Sequence, residues 1–311
     1  MILITGATGF IGGAVLEKIP SAIVLGRSFP LGFEGKYIKK EISSESDYAG
    51  CFEKVTAVIH CAARAHIMDE KALDPFMAYR SINTYGTLNL ARQAAKAGVK
   101  RFIFISSIKV NGETTSPGIP FQAKASKAPL DPYGLSKYEA EQGLKEIAGA
   151  YDMDVVIIRP PLVYGPGVKA NFLFMLKLAS KGLPLPFGGV TANLRSLVFI
   201  DNLTDLIVTC IDHPDAKNEI FLVSDNCDLS TAQLFRQLSV ACGKSGFLLP
   251  VPALLFEMGF KLIGRPDVYQ RLCGSLQVDI SDTINKLNWR PPYTVDDGFY
   301  KTANYYLENK V

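Results

Sequence analysis

At 311 residues the chain exceeds one average domain and is long enough for a main domain carrying a smaller second unit. Apolar residues make up 48% and charged residues 20%, an ordinary balance for a soluble α/β protein with a sizeable core. A formal net charge of +3, without any block of like charge, argues against nucleic acid as a partner. The cysteines (Cys51, Cys61, Cys210, Cys227, Cys242, Cys273) are scattered, with no C-x-x-C pair and no histidine at ligand spacing. Reduced thiols in a cytoplasmic protein are expected, and no metal site.

The first strand, Ile2–Thr5, leaves no room for a signal peptide ahead of it. Thr5-Gly6-Ala7-Thr8-Gly9-Phe10-Ile11-Gly12 follows and opens a helix predicted over Ile11–Ile19. Gly6 permits a tight turn, Gly9 lets the backbone approach a pyrophosphate, and Gly12 lets helix and strand pack closely. The helix N-terminus then offers N–H groups and positive dipole to phosphates, so Gly6, Thr8, Gly9, Phe10, Ile11 and Gly12 are cofactor-binding candidates. The second strand, Ala22–Leu25, ends in Leu25-Gly26-Arg27-Ser28. NAD binders usually place an acid there, about 20 residues past the glycines, to hold the ribose 2′-OH. Here there is none. Two readings of Arg27 stand: a 2′-phosphate partner, which points to NADP(H), and a solvated surface arginine.

Further strands are predicted at Ala57–His60, Phe102–Ser106 and Val155–Arg159, with helices over Pro75–Ala97 and Pro132–Ala148 between them. Several strands are apolar without alternation, as when both sheet faces are covered. The βα alternation predicts an α/β fold, a Rossmann-type doubly wound parallel sheet with ligands at the carboxyl ends of its strands. After Tyr164-Gly165-Pro166-Gly167 the elements shorten, and Pro and Gly cluster at 182–189 and 264–266. Arg195–Ile200 and Ile220–Val223 still read as strands of the sheet. The two domains therefore interleave: residues 1–166 and 194–225 bind the dinucleotide, and 167–193 with 226–311 form a smaller substrate domain. The longest apolar stretch, Phe247–Gly264, contains Pro250, Pro252, Glu257 and Lys261. Those four argue against a membrane span, which wants about 20 mostly apolar residues. A core or cap helix from near Pro252 is the preferred reading, with docking on a membrane surface as the alternative.

The chemistry concentrates in Asp131-Pro132-Tyr133-Gly134-Leu135-Ser136-Lys137. An N-cap residue and a proline at the first helical position start a helix, so Tyr133 and Lys137 share one face. A phenol with a pKa near ~10 is a poor base at neutral pH. An adjacent ammonium and a positively charged nicotinamide favour the phenolate and bring it towards working range. Ser107, at the end of a strand, is placed to hydrogen-bond the same substrate oxygen.

Together these features resemble the extended short-chain dehydrogenase/reductases, specifically the NAD-dependent epimerase/dehydratase family. The resemblance runs along nearly the whole chain. It includes the glycine loop, Val58-Ile59-His60-Cys61-Ala62-Ala63, Asn83 with Gly86-Thr87, Ser106-Ser107 and Pro132-Tyr133-Gly134-x-Ser136-Lys137. It continues through Arg159-Pro160, Val163-Tyr164-Gly165-Pro166-Gly167, Arg195-Ser196-x-Val198-x-Ile200-Asp201-Asn202-Leu203 and Asn288-Trp289-Arg290-Pro291. It implies that Tyr133 is the acid/base, Lys137 also holds the nicotinamide ribose, Ser107 binds the reacting oxygen and Asn83 supports a proton relay. Ala62, Ala63 and Pro160 would complete the cofactor site. Asn171, Phe172, Phe187, Arg195 and Arg271, with Arg265 as the alternative to Arg271, resemble residues for uracil and diphosphate. Two arginines suit a diphosphate and an aromatic suits a base face.

One departure is informative. The family's 4,6-dehydratases follow the Ser/Thr with an Asp-Glu pair, and here those places hold Ile108 and Lys109. An aliphatic side chain cannot act as a general acid, so dehydration is not expected. Lys109 is kept as a substrate-side candidate. The resemblance therefore implies a UDP-hexose or UDP-N-acetylhexosamine 4-epimerase using NAD or NADP. The alternative is a UDP-4-keto-6-deoxy-HexNAc reductase of O-antigen biosynthesis. A third reading, a non-catalytic dinucleotide-sensing scaffold, is opposed by the intact Ser107, Tyr133 and Lys137. A UDP-sugar is the expected partner, and a homodimer is compatible with the chain.

Overall fold

The computed structural model describes residues 1–65, 74–116, 118–124, 127–262, 264 and 266–309. The first half alternates β1 (Ile2–Thr5), α1 (Phe10–Lys18), β2 (Ile23–Gly26), β3 (Tyr37–Lys39) and β4 (Ala57–His60). One long rod follows, made of α2 (Pro75–Tyr79), a π-helical turn (Arg80–Gly86) and α3 (Thr87–Lys96). Next come β5 (Arg101–Ile105), a 3₁₀ turn (Ile108–Val110), α4 (Pro132–Ala150) and β6 (Asp154–Arg159). The second half holds β7 (Leu162–Tyr164), α5 (Ala170–Ser180), β8 (Leu197–Phe199), α6 (Ile200–Asp212) and β9 (Ile220–Leu222). It ends with α7 (Thr231–Ala241), α8 (Ala253–Leu262), α9 (Pro266–Cys273), α10 (Ser281–Leu287) and α11 (Val295–Glu308).

Seven strands form one parallel sheet in the order β3-β2-β1-β4-β5-β6-β9. The order reverses between β1 and β4, so a crevice opens at their carboxyl ends, where dinucleotides bind in such sheets. Leu3, Ile4, Val58 and Ile59 are fully buried because the sheet is covered on both faces. One face packs α1 and α6 around Val15, Leu203 and Ile207. The other packs α3 and α4 around Leu90, Ala91 and Leu144. A separate apolar cluster built on Phe172, Phe235 and Phe299 lies under α5, α7 and α11.

Two strand expectations are corrected. The segment read as Arg195–Ile200 forms β8 but does not join the main sheet; it pairs with β7 in a two-stranded parallel sheet of its own. The edge strand β3, next to β2, was not anticipated. The C-terminal region also returns to the main sheet further than the 225/226 division implies. Leu287 and Trp289 pack in the sheet core, and Trp289 Nε1 donates to Asp205 Oδ1 at 2.6 Å.

Candidate active site

The crevice begins at the loop between β1 and α1. Gly6 has φ +73°, and a Cβ on it would lie 2.6 Å from the Ala62 nitrogen. A Cβ on Gly12 would lie 2.2 Å from the Gly6 carbonyl oxygen. Side chains are excluded at both positions, which brings the glycine loop against the Ala62–Ala63 turn after β4. The N-terminus of α1 carries no side-chain cap and no acid in its first turn. Its open N–H groups and dipole suit an anionic group, so the residues present fit a dinucleotide pyrophosphate.

Beneath that junction lies a buried chain that the sequence reading missed. Thr5 Oγ1 and His60 Nδ1 are 2.7 Å apart, and His60 Nε2 lies 2.8 Å from Thr87 Oγ1. Burial drives the His60 pKa down to about 3, so the imidazole is neutral and structural. The relevant signal, polar residues on strands otherwise wholly apolar, names no partner.

Arg27 sits past β2 with its side chain exposed, and its guanidinium faces Glu41 at 3.9 Å. Glu41 was absent from the sequence reading because it lies 14 residues on, past β3. A carboxylate thus stands beside the arginine that was read as a 2′-phosphate partner.

The proton-handling centre is built by α4. Asp131 caps it, accepting from the Gly134 N–H at 3.0 Å, and Pro132 opens it. Tyr133 therefore enters on the first turn, its ring edge-on to Tyr79 at 5.9 Å. Its hydroxyl faces that of Ser107. Alternation at the end of β5 puts neighbouring serines to different uses. Ser107 faces Tyr133, whereas Ser106 Oγ is buried and donates to Glu141 Oε1 at 2.5 Å. Lys137, one turn past Tyr133, is buried; its Nζ donates to the Ile105 carbonyl at 2.8 Å and lies 4.4 Å from the Phe104 ring centre. Burial lowers Lys137 to about 8 and raises Tyr133 to about 12. Loss of solvent around Tyr133 outweighs the lowering effect of the Ser107 hydroxyl.

Asn83 lies in the π-helical turn, fully buried. Its Oδ1 accepts from the Arg64 N–H at 2.8 Å, and its Nδ2 donates to the Arg64 carbonyl at 3.1 Å and to Ser136 Oγ at 3.0 Å. Thr84 Oγ1 donates to the Ser136 carbonyl at 2.8 Å. An amide so engaged braces the β4 loop against α4.

Behind Ser106 sits a second feature the sequence did not reveal. Arg159, at the end of β6, and Glu141, one turn past Lys137, form a fully buried ion pair. Arg159 Nε donates to Glu141 Oε1 at 2.9 Å, and its Nη1 donates to Asn111 Oδ1 at 3.0 Å and the Ala123 carbonyl at 2.8 Å. Pro160 follows, its carbonyl accepting from the Ile108 N–H at 3.0 Å. Ile108 is buried in a small apolar cluster, consistent with the missing dehydratase acid. Lys109 Nζ is held by Glu113 at 2.8 Å and Asp131 at 3.4 Å, which ties its charge to the rim of α4.

The expected substrate residues separate. Arg195 is largely buried; its Nη1 donates to the Gly274 carbonyl at 2.9 Å, directly after α9, which bears the exposed Arg271. Both arginines therefore reach one corner of the cap; the alternative, Arg265, lies outside the described residues. Asn171 is exposed on the first turn of α5, after Ala170 at φ +53°. Phe172 and Phe187 are corrected. Phe172 stacks on Tyr164 at 5.0 Å, and Phe187 stacks on Phe235 at 4.4 Å and Phe256 at 5.3 Å. These are core rings whose faces are occupied by other aromatics, leaving no face for a base.

A strap over residues 112–124 links the halves. Gln277 N–H donates to Thr115 Oγ1 at 3.0 Å, and the Gln277 carbonyl accepts from the Phe121 N–H at 2.8 Å. It thus fastens the segment beside Arg195 to the loop that follows Ser107.

This geometry agrees with what the chain is similar to. UDP-glucose 4-epimerase of Vibrio cholerae is 50% identical over 317 residues, covering 99% of this chain and 95% of that protein. The structure of UDP-N-acetylglucosamine 4-epimerase from Bacillus cereus has a TM-score of 0.79 at 18% identity, covering 100% of this chain and 99% of that one. UDP-glucose 4-epimerase from Thermotoga maritima, with UDP-glucose, has a TM-score of 0.76 at 22% identity, covering 99% and 98%. At those identities the two structures share the fold. The profile of the NAD dependent epimerase/dehydratase family matches residues 2–224, and the chain belongs to that family.

Proposed function

We propose that this chain is an NAD-dependent 4-epimerase of UDP-hexoses or UDP-N-acetylhexosamines. The observation that carries the reading is the Tyr133 hydroxyl turned towards Ser107, set one helical turn from the buried Lys137. The 50% identity to a UDP-glucose 4-epimerase over the full chain gives it a substrate class.

Gly6, Thr8, Gly9, Phe10, Ile11 and Gly12 would hold the pyrophosphate, with Ala62, Ala63 and Pro160 around the rest of the dinucleotide and Lys137 on a ribose. Bound there, NAD would supply a reversible acceptor for the hydride of sugar carbon 4, to be returned to the opposite face of the sugar. The chain's own part is moving a proton. Tyr133 Oη takes the proton of the 4-hydroxyl and later gives it back, while Ser107 fixes the same oxygen. With the phenol at about 12 in the free chain, its phenolate needs positive charge nearby. Lys137, at about 8, carries that charge at neutral pH, and the Ile105 carbonyl holds it in place. Asn83 and Ser136 keep α4 in register with the cofactor loop. We assign residues 1–166 and 194–225 to the dinucleotide half and the rest to the substrate half, apart from the stretch with Leu287 and Trp289 that returns to the sheet core. Six cysteines outside any disulfide suit a reducing compartment such as the cytoplasm, and no described helix is long and apolar enough to cross a membrane.

Incubating the protein with UDP-glucose and UDP-N-acetylglucosamine, without added reductant, is expected to yield the 4-epimers by NMR. If neither reacts but a UDP-4-keto-6-deoxy-HexNAc consumes NAD(P)H stoichiometrically, the chain is a reductase instead.

Arg195→Ala is expected to weaken UDP binding by about 1.5–3 kcal/mol, the value of a hydrogen bond to a charged group. Calorimetry reads this directly; an unchanged dissociation constant would place Arg195 outside the site. Arg27→Ala is expected to leave NAD affinity essentially unaltered, because an exposed pair with Glu41 contributes little. A selective loss of NADP binding in parallel titrations would instead restore the 2′-phosphate role.

A further inference from the structure

The cap carries an apolar surface that the proposed chemistry does not use. A helix on a soluble protein normally hides one stripe and shows a polar one. On α8 the inward side chains Ala253 and Phe256 pack into the cap cluster. The opposite side shows Leu254, Leu255, Met258 and Leu262, 53–85% exposed. Leu254, Met258 and Leu262 are four residues apart, so they form one stripe. The Leu185–Leu248 bridge lays the segment with the exposed Leu183 along the segment with the exposed Phe247, which leads into this helix.

The cap segments that carry and adjoin that face are net basic. Residues 229–262 carry Arg236, Lys244 and Lys261 against Glu257. Residues 169–182 carry Lys169, Lys177 and Lys181 with no acid. The two segments meet where Lys244 lies against Gly182. Together they sum to +5, against +3 for the whole chain, so the remainder of the molecule is net negative.

We propose that the cap docks on an anionic bilayer through the outward face of α8, with this basic surround on the lipid headgroups. Apolar side chains entering the headgroup boundary beside lysines and arginines are the elements of interfacial binding. A second copy fits less well, because a two-fold contact through this face would oppose its basic surround to itself. Since α8 packs on α9, docking brings the corner holding Arg271 up to the membrane surface.

The full chain should be mixed with vesicles of phosphatidylcholine alone or with phosphatidylglycerol, then sedimented. It is expected to pellet with the anionic vesicles, less so at high salt, and to stay in solution with the neutral ones. Leu254→Glu with Met258→Glu is expected to cut the partition coefficient about tenfold or more, with melting temperature and conversion of soluble UDP-glucose unchanged. Pelleting needs no turnover, so its result stands apart from the epimerase assay. Absence of binding to anionic vesicles, or binding indifferent to the two substitutions, overturns the proposal. So does light scattering that shows the substitutions converting a dimer into monomers, since α8 then covers a second copy.

Discussion

Tyr133→Phe is expected to lower turnover by well over a hundredfold while leaving fold and nucleotide binding intact. The phenylalanine ring keeps the edge-on contact with Tyr79, so the change is confined to the hydroxyl that faces Ser107. General acid–base catalysis typically contributes about 10²–10⁴ in rate, and no other described group shares both Ser107 and the face of Lys137. Steady-state conversion of a UDP-sugar, with a thermal melt as control, measures the effect. Near-normal turnover in a well-folded variant would remove Tyr133 from the mechanism.

The largest effect on stability is expected at Glu141. Its carboxylate is fully buried, and it neutralises Arg159 while accepting from Ser106. In Glu141→Ala the guanidinium stays buried without its counter-charge, which for such pairs costs about 3–5 kcal/mol. Replacing both partners, as Glu141→Leu with Arg159→Met, removes the orphaned charge and is expected to recover part of that loss. Recovery is incomplete because Arg159 also holds Asn111 and Ala123. Urea unfolding of the three proteins gives the comparison. A single variant within about 1 kcal/mol of the wild type would show that water reaches the pair, since exposed pairs are worth no more than that. Loss of the Glu141–Ser106 bond also loosens the strand end next to Ser107, so slower turnover is expected alongside.

Legibility in the sequence followed the range of the interaction. β1, β4 and α4 were readable because apolar runs, an N-cap and a proline are local signals. The glycine loop was readable because the constraint on it, a backbone with no room for a Cβ, is written in residue identity. Arg195 was placed near Arg271 through resemblance, and the structure brings both to one corner. Pairings across distant elements were not readable. Glu41 reaches Arg27 only once β3 has folded beside β2, and Glu141 meets Arg159 only once α4 lies against β6. Phe172 and Phe187 show the opposite error: an aromatic in a motif and an aromatic in a core look alike until its neighbours are known. β8 misled for a similar reason, since its apolar run satisfies any parallel partner and β7 was nearer than the main sheet.

The π-helical turn at Arg80–Gly86 has a bearing on how this rod tolerates changes of length. An extra residue inside a regular helix rotates everything beyond it by about 100°, which would swing the buried face of α3 off the sheet. A turn closed five residues ahead instead of four absorbs one residue locally. Leu90, Ala91 and Ala94 consequently stay packed while Asn83 and Thr84 both turn towards Ser136. The rod can thus be thought of as an ordinary helix with one inserted residue, the insertion being what lets a packing element lend two polar side chains to its neighbour. By the same logic this turn is the one stretch of the rod with a residue to give up, and its removal would preserve the sheet packing while withdrawing the brace from α4.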